Sequence, residues 1–191
     1  MAYNNTEIEI KISLDKNEFL RVKEKLNEVA KFAEESHQID EYFTPANRNF
    51  VEPKFPFEWL SIRKRGDKTI LNYKHYHPEN VEITTHCDEF ESEIKNKDKL
   101  EKIFSALDFK KLIIVEKKRE IYMYNDEFEI ALDDVKELGY FIEIEAIKDF
   151  GNVMVTRKQL FEFAKKMGID VSKTEKRGYP YLLMKKKGII K

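Results

Sequence analysis

Charged residues recur at two-residue spacing in five segments of this chain. The first is Glu7-Ile8-Glu9-Ile10-Lys11, in which acids and a base alternate with isoleucines. Successive side chains of a β-strand point to opposite faces, so this spacing places the charges on one face and the apolar residues on the other. The spacing recurs in four more segments: Arg63 and Arg65; Glu89, Glu91 and Glu93; Lys117 and Arg119; and Glu143 and Glu145.

Several charged strand faces together favour a ligand that carries both signs of charge. Clustered carboxylates repel one another unless cations lie among them, and clustered Arg and Lys need an anion for the same reason. A metal-bound polyphosphate satisfies both requirements. Carboxylate oxygens suit Mg²⁺ or Mn²⁺, and the sequence offers no convincing Cys/His set for zinc. The alternative is that these groups pair as interior salt bridges and bind no ligand.

The elements that must position these residues are predicted to be strands with helices packed outside them. A capping box at Asp15 and Glu18 begins the first helix, Asp98 begins the second, and Val155 to Met167 form the third. We expect an α+β fold: an eight-stranded antiparallel barrel with a charged interior, in a single domain over residues 1–191. The predicted strands are 6–14, 36–44, 59–65, 68–76, 86–94, 111–124, 128–135 and 140–147.

The motifs resemble those of the CYTH superfamily, the triphosphate tunnel metalloenzymes. Glu7-x-Glu9-x-Lys11 is similar to the family's N-terminal signature, and Asp40-Glu41-Tyr42-Phe43 resembles a segment of its class IV adenylyl cyclase (CyaB-like) branch. Cys87 stands where the family often has an arginine. The remaining motifs follow the family's order over essentially the whole chain: Arg63-x-Arg65, Lys74, Glu89 with Glu91, Lys117-x-Arg119, Leu132-Asp133 and Glu143-Ile144-Glu145.

The resemblance implies a role for each charged position. Asp133 is expected either near the metal and phosphate or as a residue that orients an arginine, and Glu89 and Glu91 are chosen over Glu93 as additional tunnel acids. The implied metal ligands are Glu7, Glu9, Glu143 and Glu145. The implied triphosphate-binding residues are Lys11, Arg63, Arg65, Lys74, Lys117 and Arg119, and the implied catalytic residues are Lys11, Lys117, Arg119 and Asp133.

The same resemblance implies a function. We expect a Mg²⁺- or Mn²⁺-dependent adenylyl cyclase, in which the ribose 3′-oxygen of ATP attacks the α-phosphorus to give cyclic AMP and pyrophosphate. An inorganic, thiamine or nucleoside triphosphatase would use the same tunnel with water as the nucleophile. A third alternative is a non-catalytic triphosphate-binding module.

Composition limits the partners and the location. A formal net charge of −1 gives no global basic field, so we expect no nucleic-acid binding. The sequence contains no apolar run of membrane-spanning length and no targeting signal, which favours a cytoplasmic protein without a membrane partner. A homodimer is left open. The single cysteine, Cys87, is interpreted as a structural thiol, and residues 45–56 as either a lid or a plain anchored connection.

Overall fold

The computed structural model describes residues 6–190 as ten β-strands, four α-helices and one 3₁₀ helix, Val171–Lys173. In hydrogen-bonding order the strands are β1-β6-β5-β4-β3-β7-β8-β9-β2-β10. The strands are β1 Thr6–Glu7, β2 Glu9–Leu14, β3 Lys31–Thr44, β4 Glu58–Arg65, β5 Lys68–His77, β6 His86–Glu93, β7 Lys110–Tyr124, β8 Phe128–Val135, β9 Gly139–Ala146 and β10 Thr174–Glu175. The α-helices are α1 Lys16–Val29, α2 Lys97–Ala106, α3 Val153–Lys166 and α4 Tyr179–Lys186.

The described chain divides into two compact units. Unit 1 comprises His37–Glu116 together with Thr6 and residues 177–190, and unit 2 comprises Glu7–Ser36 and Lys117–Lys176. The long strands β3 and β7 contribute residues to both units. The single domain over residues 1–191 stays a prediction, and its first five residues and its last lie outside the described residues.

Unit 2 has its core between one sheet face and two helices. Alternate residues of β2, β8 and β9, among them Ile12, Ile130 and Ile142, are inaccessible to solvent or nearly so. They pack with apolar residues of α1 and α3 such as Leu26 and Leu160. Because strand side chains alternate, the opposite face of the same strands carries the charged residues.

Unit 1 has a smaller core of Phe43, Ile62 and Phe104, with four partly buried apolar residues packed against it. Phe104 belongs to α2, so this helix covers the apolar face of β3 and β4. The predicted start of α2 at Asp98 is wrong by two residues. Asn96 is the N-cap because its side chain accepts a hydrogen bond from the Lys99 backbone N–H at 2.9 Å.

Local signals at other element ends are confirmed. The Asp15 side chain accepts a hydrogen bond from the Glu18 N–H, and the Glu18 side chain accepts one from the Asp15 N–H, which completes the capping box. Gly66 at φ +58° forms the turn between β4 and β5, and Asn125 at φ +52° lies in the turn between β7 and β8. Both turns join antiparallel neighbours, as predicted.

The predicted class, an antiparallel sheet with helices packed on it, is confirmed, but the strand count of eight is wrong. The described residues contain ten strands because the predicted first strand is interrupted at Ile8 and because Thr174–Glu175 adds a short strand against β2. Strand β3 begins at Lys31, not at Ser36, and α4 was not predicted. No helix within residues 6–190 is long and apolar enough to cross a lipid bilayer.

Candidate active site

The predicted site residues fall into two clusters, one in each unit. The first cluster, called here the unit 2 cluster, comprises Glu9, Lys11, Lys117, Arg119, Asp133, Glu143 and Glu145. The second, the unit 1 cluster, comprises Arg63, Arg65, Lys74, Glu89 and Glu91. Glu7 lies in β1, also within unit 2, and is buried.

Asp133 organises two bases of the unit 2 cluster. Its side chain is fully buried and accepts two hydrogen bonds from Arg119, from Nε at 2.7 Å and from Nη2 at 2.5 Å. Lys117 Nζ approaches the same carboxylate at 3.4 Å. Arg119 and Asp133 are direct cross-strand partners on β7 and β8, so the strand register itself brings them together. The orientation of an arginine, the second role expected of Asp133, would use this contact and stays a prediction.

Glu143 connects Arg119 to Lys11. Lys11 Nζ lies 2.8 Å from Glu143 Oε1, and Arg119 Nη2 donates to Glu143 Oε2. Lys11 and Glu143 are register partners on β2 and β9. Glu9 is more distant, with 3.7 Å between its Oε1 and Lys11 Nζ. The unit 2 cluster is therefore a continuous network of two buried acids and three bases.

The electrostatics of this network keep its acids ionised. Burial raises the pKa of the Asp133 carboxyl, but Arg119 and Lys117 outweigh that effect and lower it overall. Burial also opposes ionisation of Glu143, yet the charges of Arg119, Lys11 and Lys117 hold the pKa of its carboxyl well below the ordinary value. Both acids are therefore charged at neutral pH.

A row of three carboxylates crosses the same strand face beside this network. Glu9 pairs in register with Glu145, and Glu145 pairs with Glu129 of β8. Burial raises the pKa of the Glu129 carboxyl; the charge of Arg119 opposes this rise, and Glu34 and Glu143 add to it. Within this row, Glu9 also lies 3.7 Å from Lys11 Nζ, which joins the row to the Asp133–Glu143 network.

The row offers the type of donor, carboxylate oxygen, that a hard divalent cation takes. Carboxylate oxygens are the ligands that Mg²⁺ and Mn²⁺ prefer, and Glu9 and Glu145 were both predicted as ligands. In the described part of the chain, no three His, Cys, Asp or Glu side chains converge closely enough to hold a metal ion. Glu143, a third predicted ligand, is instead paired with Lys11 and Arg119.

In the unit 1 cluster, one arginine is shared between two acids. Arg63 Nη1 donates to Glu89 Oε1 at 3.1 Å and to Glu91 Oε1 at 3.0 Å. Lys74 Nζ lies 3.4 Å from the same Glu89 oxygen. The buried Asn72 amide donates to both acids, at 2.6 Å and 3.0 Å. The structure thus brings Glu89 and Glu91 to the predicted bases.

Arg65 is paired separately. Asp40 accepts two hydrogen bonds from its guanidinium, from Nη1 at 2.5 Å and from Nη2 at 3.1 Å. The pair is diagonal across β3 and β4, because the register partner of Asp40 is Arg63 and that of Arg65 is Gln38. Burial lowers the pKa of the Arg63 guanidinium, but the charges of Asp40, Tyr42 and the two shared glutamates outweigh burial and raise the pKa overall. Arg63 therefore stays charged. Burial and the Asp40 carboxylate raise the pKa of the Tyr42 phenol to about 12.

Three further residues contact or adjoin these clusters and are not among the predicted site residues: Asp40, Asn72 and Glu129. Glu129 precedes Asp133 by four positions on β8, so period-two charge spacing is a signal that finds it. Asn72 lies two positions before Lys74 on β5, but a neutral amide carries no charge signal. Asp40 belongs to the Asp40-Glu41-Tyr42-Phe43 motif, which does not by itself indicate a partner for Arg65.

Comparison with known proteins gives one family and several relatives. A family model described as CYTH domain matches residues 5–179. A Methanocaldococcus jannaschii protein named "Putative adenylate cyclase MJ0240" is 33% identical over 175 residues, which cover 91% of this chain and 95% of that protein. The solved structure of the PH1819 protein from Pyrococcus horikoshii is 29% identical and covers 94% of this chain and 99% of its own, with a TM-score of 0.78.

A more distant solved structure is the HpAC1 protein from Hippeastrum, described with a dominant triphosphatase activity. It has a TM-score of 0.65 and 18% identity, and the match covers 96% of each chain. At that identity the likeness shows the fold alone.

Proposed function

Because this chain belongs to the CYTH domain family, we propose that it is a divalent-metal-dependent adenylyl cyclase that converts ATP to cyclic AMP and pyrophosphate. The name of the relative from Methanocaldococcus jannaschii, "Putative adenylate cyclase MJ0240", supports this activity among those open to the family. The proposed location is the cytoplasm, where ATP is available.

The observation that carries the proposal is the network of Arg119, Asp133, Glu143 and Lys11. It fixes a guanidinium and an ammonium on one strand face, with their orientation set by buried acids. Such fixed cations stabilise charge on phosphate oxygens without reorganising during the reaction. Lys117, whose ammonium lies at 3.4 Å from Asp133, adds a third positive group.

In the proposed reaction, the ribose 3′-oxygen forms a bond to the α-phosphorus. The bond from that phosphorus to the bridging oxygen breaks, pyrophosphate leaves with the bonding electrons, and the hydroxyl proton passes to solvent. Lys11, Lys117 and Arg119 would neutralise charge on the phosphate oxygens as the bond breaks. Arg63, Arg65 and Lys74 are proposed as further phosphate-binding residues.

Glu9 and Glu145, with Glu7 and Glu143 as the other predicted ligands, would hold Mg²⁺ or Mn²⁺. When bound, such an ion supplies charge neutralisation and lowers the pKa of a hydroxyl group. Glu129, which faces Glu145 in register, belongs to the same row of carboxylates.

The direct test is to incubate the protein with ATP, thiamine triphosphate or tripolyphosphate, each with Mg²⁺ or Mn²⁺, and to separate the products by chromatography. Cyclic AMP with pyrophosphate is the expected result. Release of orthophosphate from any of the three would replace the cyclase with a triphosphatase, and no product at all would indicate a binding module.

Variants distinguish a specific activity from a contaminant. Glu9→Gln is nearly isosteric and is expected to lower turnover by about a hundredfold or more, since it removes one carboxylate charge from the proposed ligands. The matched control is Glu127→Gln, which removes the carboxylate of the Lys148–Glu127 ion pair and should leave turnover unchanged. Equal activity of the two variants would contradict the role of Glu9.

A further inference from the structure

A cavity of about 490 Å³ lies in unit 1, away from the charged strand face. One wall is His75, which follows Lys74 on β5 and so points to the opposite face of the strand. The volume falls within the range of small-molecule sites. The residues that matter for its chemistry are Arg48, Phe50, Phe57, Glu58, His75 and Glu79.

The cavity contains a buried carboxylate. Glu58 is 6% exposed, and its Oε1 accepts a hydrogen bond from the Tyr73 hydroxyl at 2.6 Å. The same oxygen lies 2.9 Å from Arg48 Nη2. A desolvated carboxylate requires a cationic partner, and here that partner comes from a side chain that is 61% exposed.

Aromatic rings form the walls around this carboxylate. Phe57 packs against His75 with 5.6 Å between ring centroids, and Phe50 packs against Tyr73 at 6.4 Å. The Arg48 guanidinium lies 5.1 Å from the centroid of Phe50. The chain's own guanidinium therefore already makes the two contacts that a bound organic cation would make, a carboxylate and a ring face.

The remaining charges of the lining also favour a cation. Glu52, Glu58 and Glu79 supply three carboxylates against the single guanidinium of Arg48, and His75 Nε2 lies 2.9 Å from Glu79 Oε1. An anionic ligand would meet a net negative lining. A bound cation would add positive charge to that of the Arg48 guanidinium and bring the lining closer to neutrality.

The Phe50 wall is held by contacts that do not involve the Arg48 side chain. The Thr44 hydroxyl accepts a hydrogen bond from the Phe50 N–H at 2.9 Å and donates to the Arg48 backbone carbonyl at 3.0 Å. These bonds hold the backbone of the segment, and Phe50 is buried. The exposed Arg48 side chain can thus leave the carboxylate while Phe50 and the backbone stay in place.

From this arrangement we propose that the cavity is a binding site for a small organic cation of the guanidinium type. Glu58 is its counter-ion, Phe50, Phe57 and His75 are its walls, and Arg48 is a competing internal occupant. Within unit 1, His75 points to the opposite face of β5 from Lys74, and the cavity lining contains none of the proposed phosphate-binding residues, so this proposal does not rest on the proposed cyclase activity.

The test uses methylguanidinium chloride and the full chain, with binding followed by NMR chemical shifts of the aromatic side chains at constant ionic strength. Arg48→Ala is expected to bind the probe at least about tenfold more tightly than the unaltered chain, a difference of about 1.4 kcal/mol. Adding Glu58→Gln to Arg48→Ala should weaken binding by at least the same factor. Adding Glu101→Gln, a carboxylate of unit 1 outside the cavity lining, should change nothing.

Two outcomes would overturn the proposal of a cation-binding site. One is an Arg48→Ala variant with no gain in affinity, and the other is equal affinity in the Glu58→Gln and Glu101→Gln backgrounds. If Glu58→Gln does not fold, Phe57→Leu in the Arg48→Ala background decides in its place. A loss of affinity on removing the ring supports the proposal, and unchanged affinity contradicts it.

Discussion

The unit 2 cluster and the unit 1 cluster contain similar residues but differ in how deeply their ion pairs are buried. Asp133 is fully buried, and the Lys117 side chain paired with it is 6% exposed. In unit 1, the Glu91 side chain paired with Arg63 is 46% exposed. One network is almost wholly desolvated, while the other keeps an acid in contact with water.

The difference bears on what each network can contribute. A desolvated ion pair is costly to break from one side, so Asp133 holds Arg119 in a fixed orientation. A partly hydrated pair is worth little, because water compensates for the loss of a partner. We infer that Arg119 is pre-positioned for an anion, whereas Arg63 can exchange the Glu91 carboxylate for a phosphate oxygen at low cost.

The largest expected effect comes from breaking the two networks in the same way. Asp133→Ala leaves Arg119 and Lys117 without their shared buried carboxylate, and we expect it to lower the free energy of unfolding by about 3–5 kcal/mol. Glu91→Ala, its counterpart in unit 1, should lower it by at most about 1 kcal/mol. Urea denaturation followed by circular dichroism measures both. Similar losses in the two variants would remove the distinction between the clusters.

The next effect concerns ligand and metal together. On the unit 2 face the bases lie beside a row of carboxylates, so a triphosphate alone meets negative charge and a metal alone leaves the bases without an added anion. We expect a triphosphate with Mg²⁺ to raise the melting temperature by more than the sum of the separate shifts. A ligand at about a hundred times its Kd adds about 2.7 kcal/mol, which corresponds to several degrees for a chain of this size.

Differential scanning fluorimetry with tripolyphosphate, Mg²⁺ and both together tests this synergy. Glu9→Gln should reduce the synergy, and Glu127→Gln should preserve it. Purely additive shifts in the unaltered chain would indicate that the charged face pairs only with itself.

A smaller effect is expected at Arg63. Arg63→Ala should weaken the binding of a triphosphate by about tenfold, or about 1.4 kcal/mol, and that of a diphosphate by less, because the residue is proposed to contact the longer phosphate chain. Isothermal titration calorimetry with the triphosphate and the diphosphate, under conditions without turnover, gives the ratio of Kd values between the variant and the unaltered chain for each ligand. An equal loss for both ligands would assign Arg63 to a position that does not distinguish chain length.

The sequence predicted best what depends on local spacing. The two-residue spacing of charged side chains predicted the charged faces of β2, β7 and β9, and the Asp15 capping box predicted the start of α1. Both signals lie within a few residues of the element that they describe. Strand β10 is only two residues long and exists through its pairing with β2, so its own sequence carries little signal.

The partners of each charge were less predictable. The register of β7 and β8 pairs Arg119 with Asp133, and that of β2 and β9 pairs Lys11 with Glu143. A shift of two residues would keep every side chain on its face and change every partner. The sequence therefore indicated which residues share a charged face, but it could not decide that Glu143 lies between Lys11 and Arg119 while Glu145 lies in register with Glu9 and Glu129.

The smallest expected effect on stability lies at Glu41 in unit 1, whose lysine partners Lys97 and Lys111 are partly exposed to solvent. Burial raises the pKa of its carboxyl, but hydrogen bonds from Lys111 and Lys97 outweigh burial and lower it below the ordinary value of 4.5. A lowered folded pKa means that the stabilisation is present above about pH 4.5 and is lost as the pH falls through the folded value. Lys111 is 44% exposed, so solvent screening limits the effect to about 1 kcal/mol.

We therefore expect Glu41→Gln to destabilise the chain modestly at pH 7, and the difference from the unaltered chain to shrink as the pH falls from about 6 to about 3. Urea denaturation at a series of pH values measures this convergence, with Glu93→Gln as a control that removes an exposed carboxylate from the same unit. If the difference stayed constant across this range, the Glu41 pair would not contribute through its ionisation. If it exceeded that of Asp133→Ala at pH 7, the depth at which an ion pair is buried would not determine how much its loss destabilises the chain.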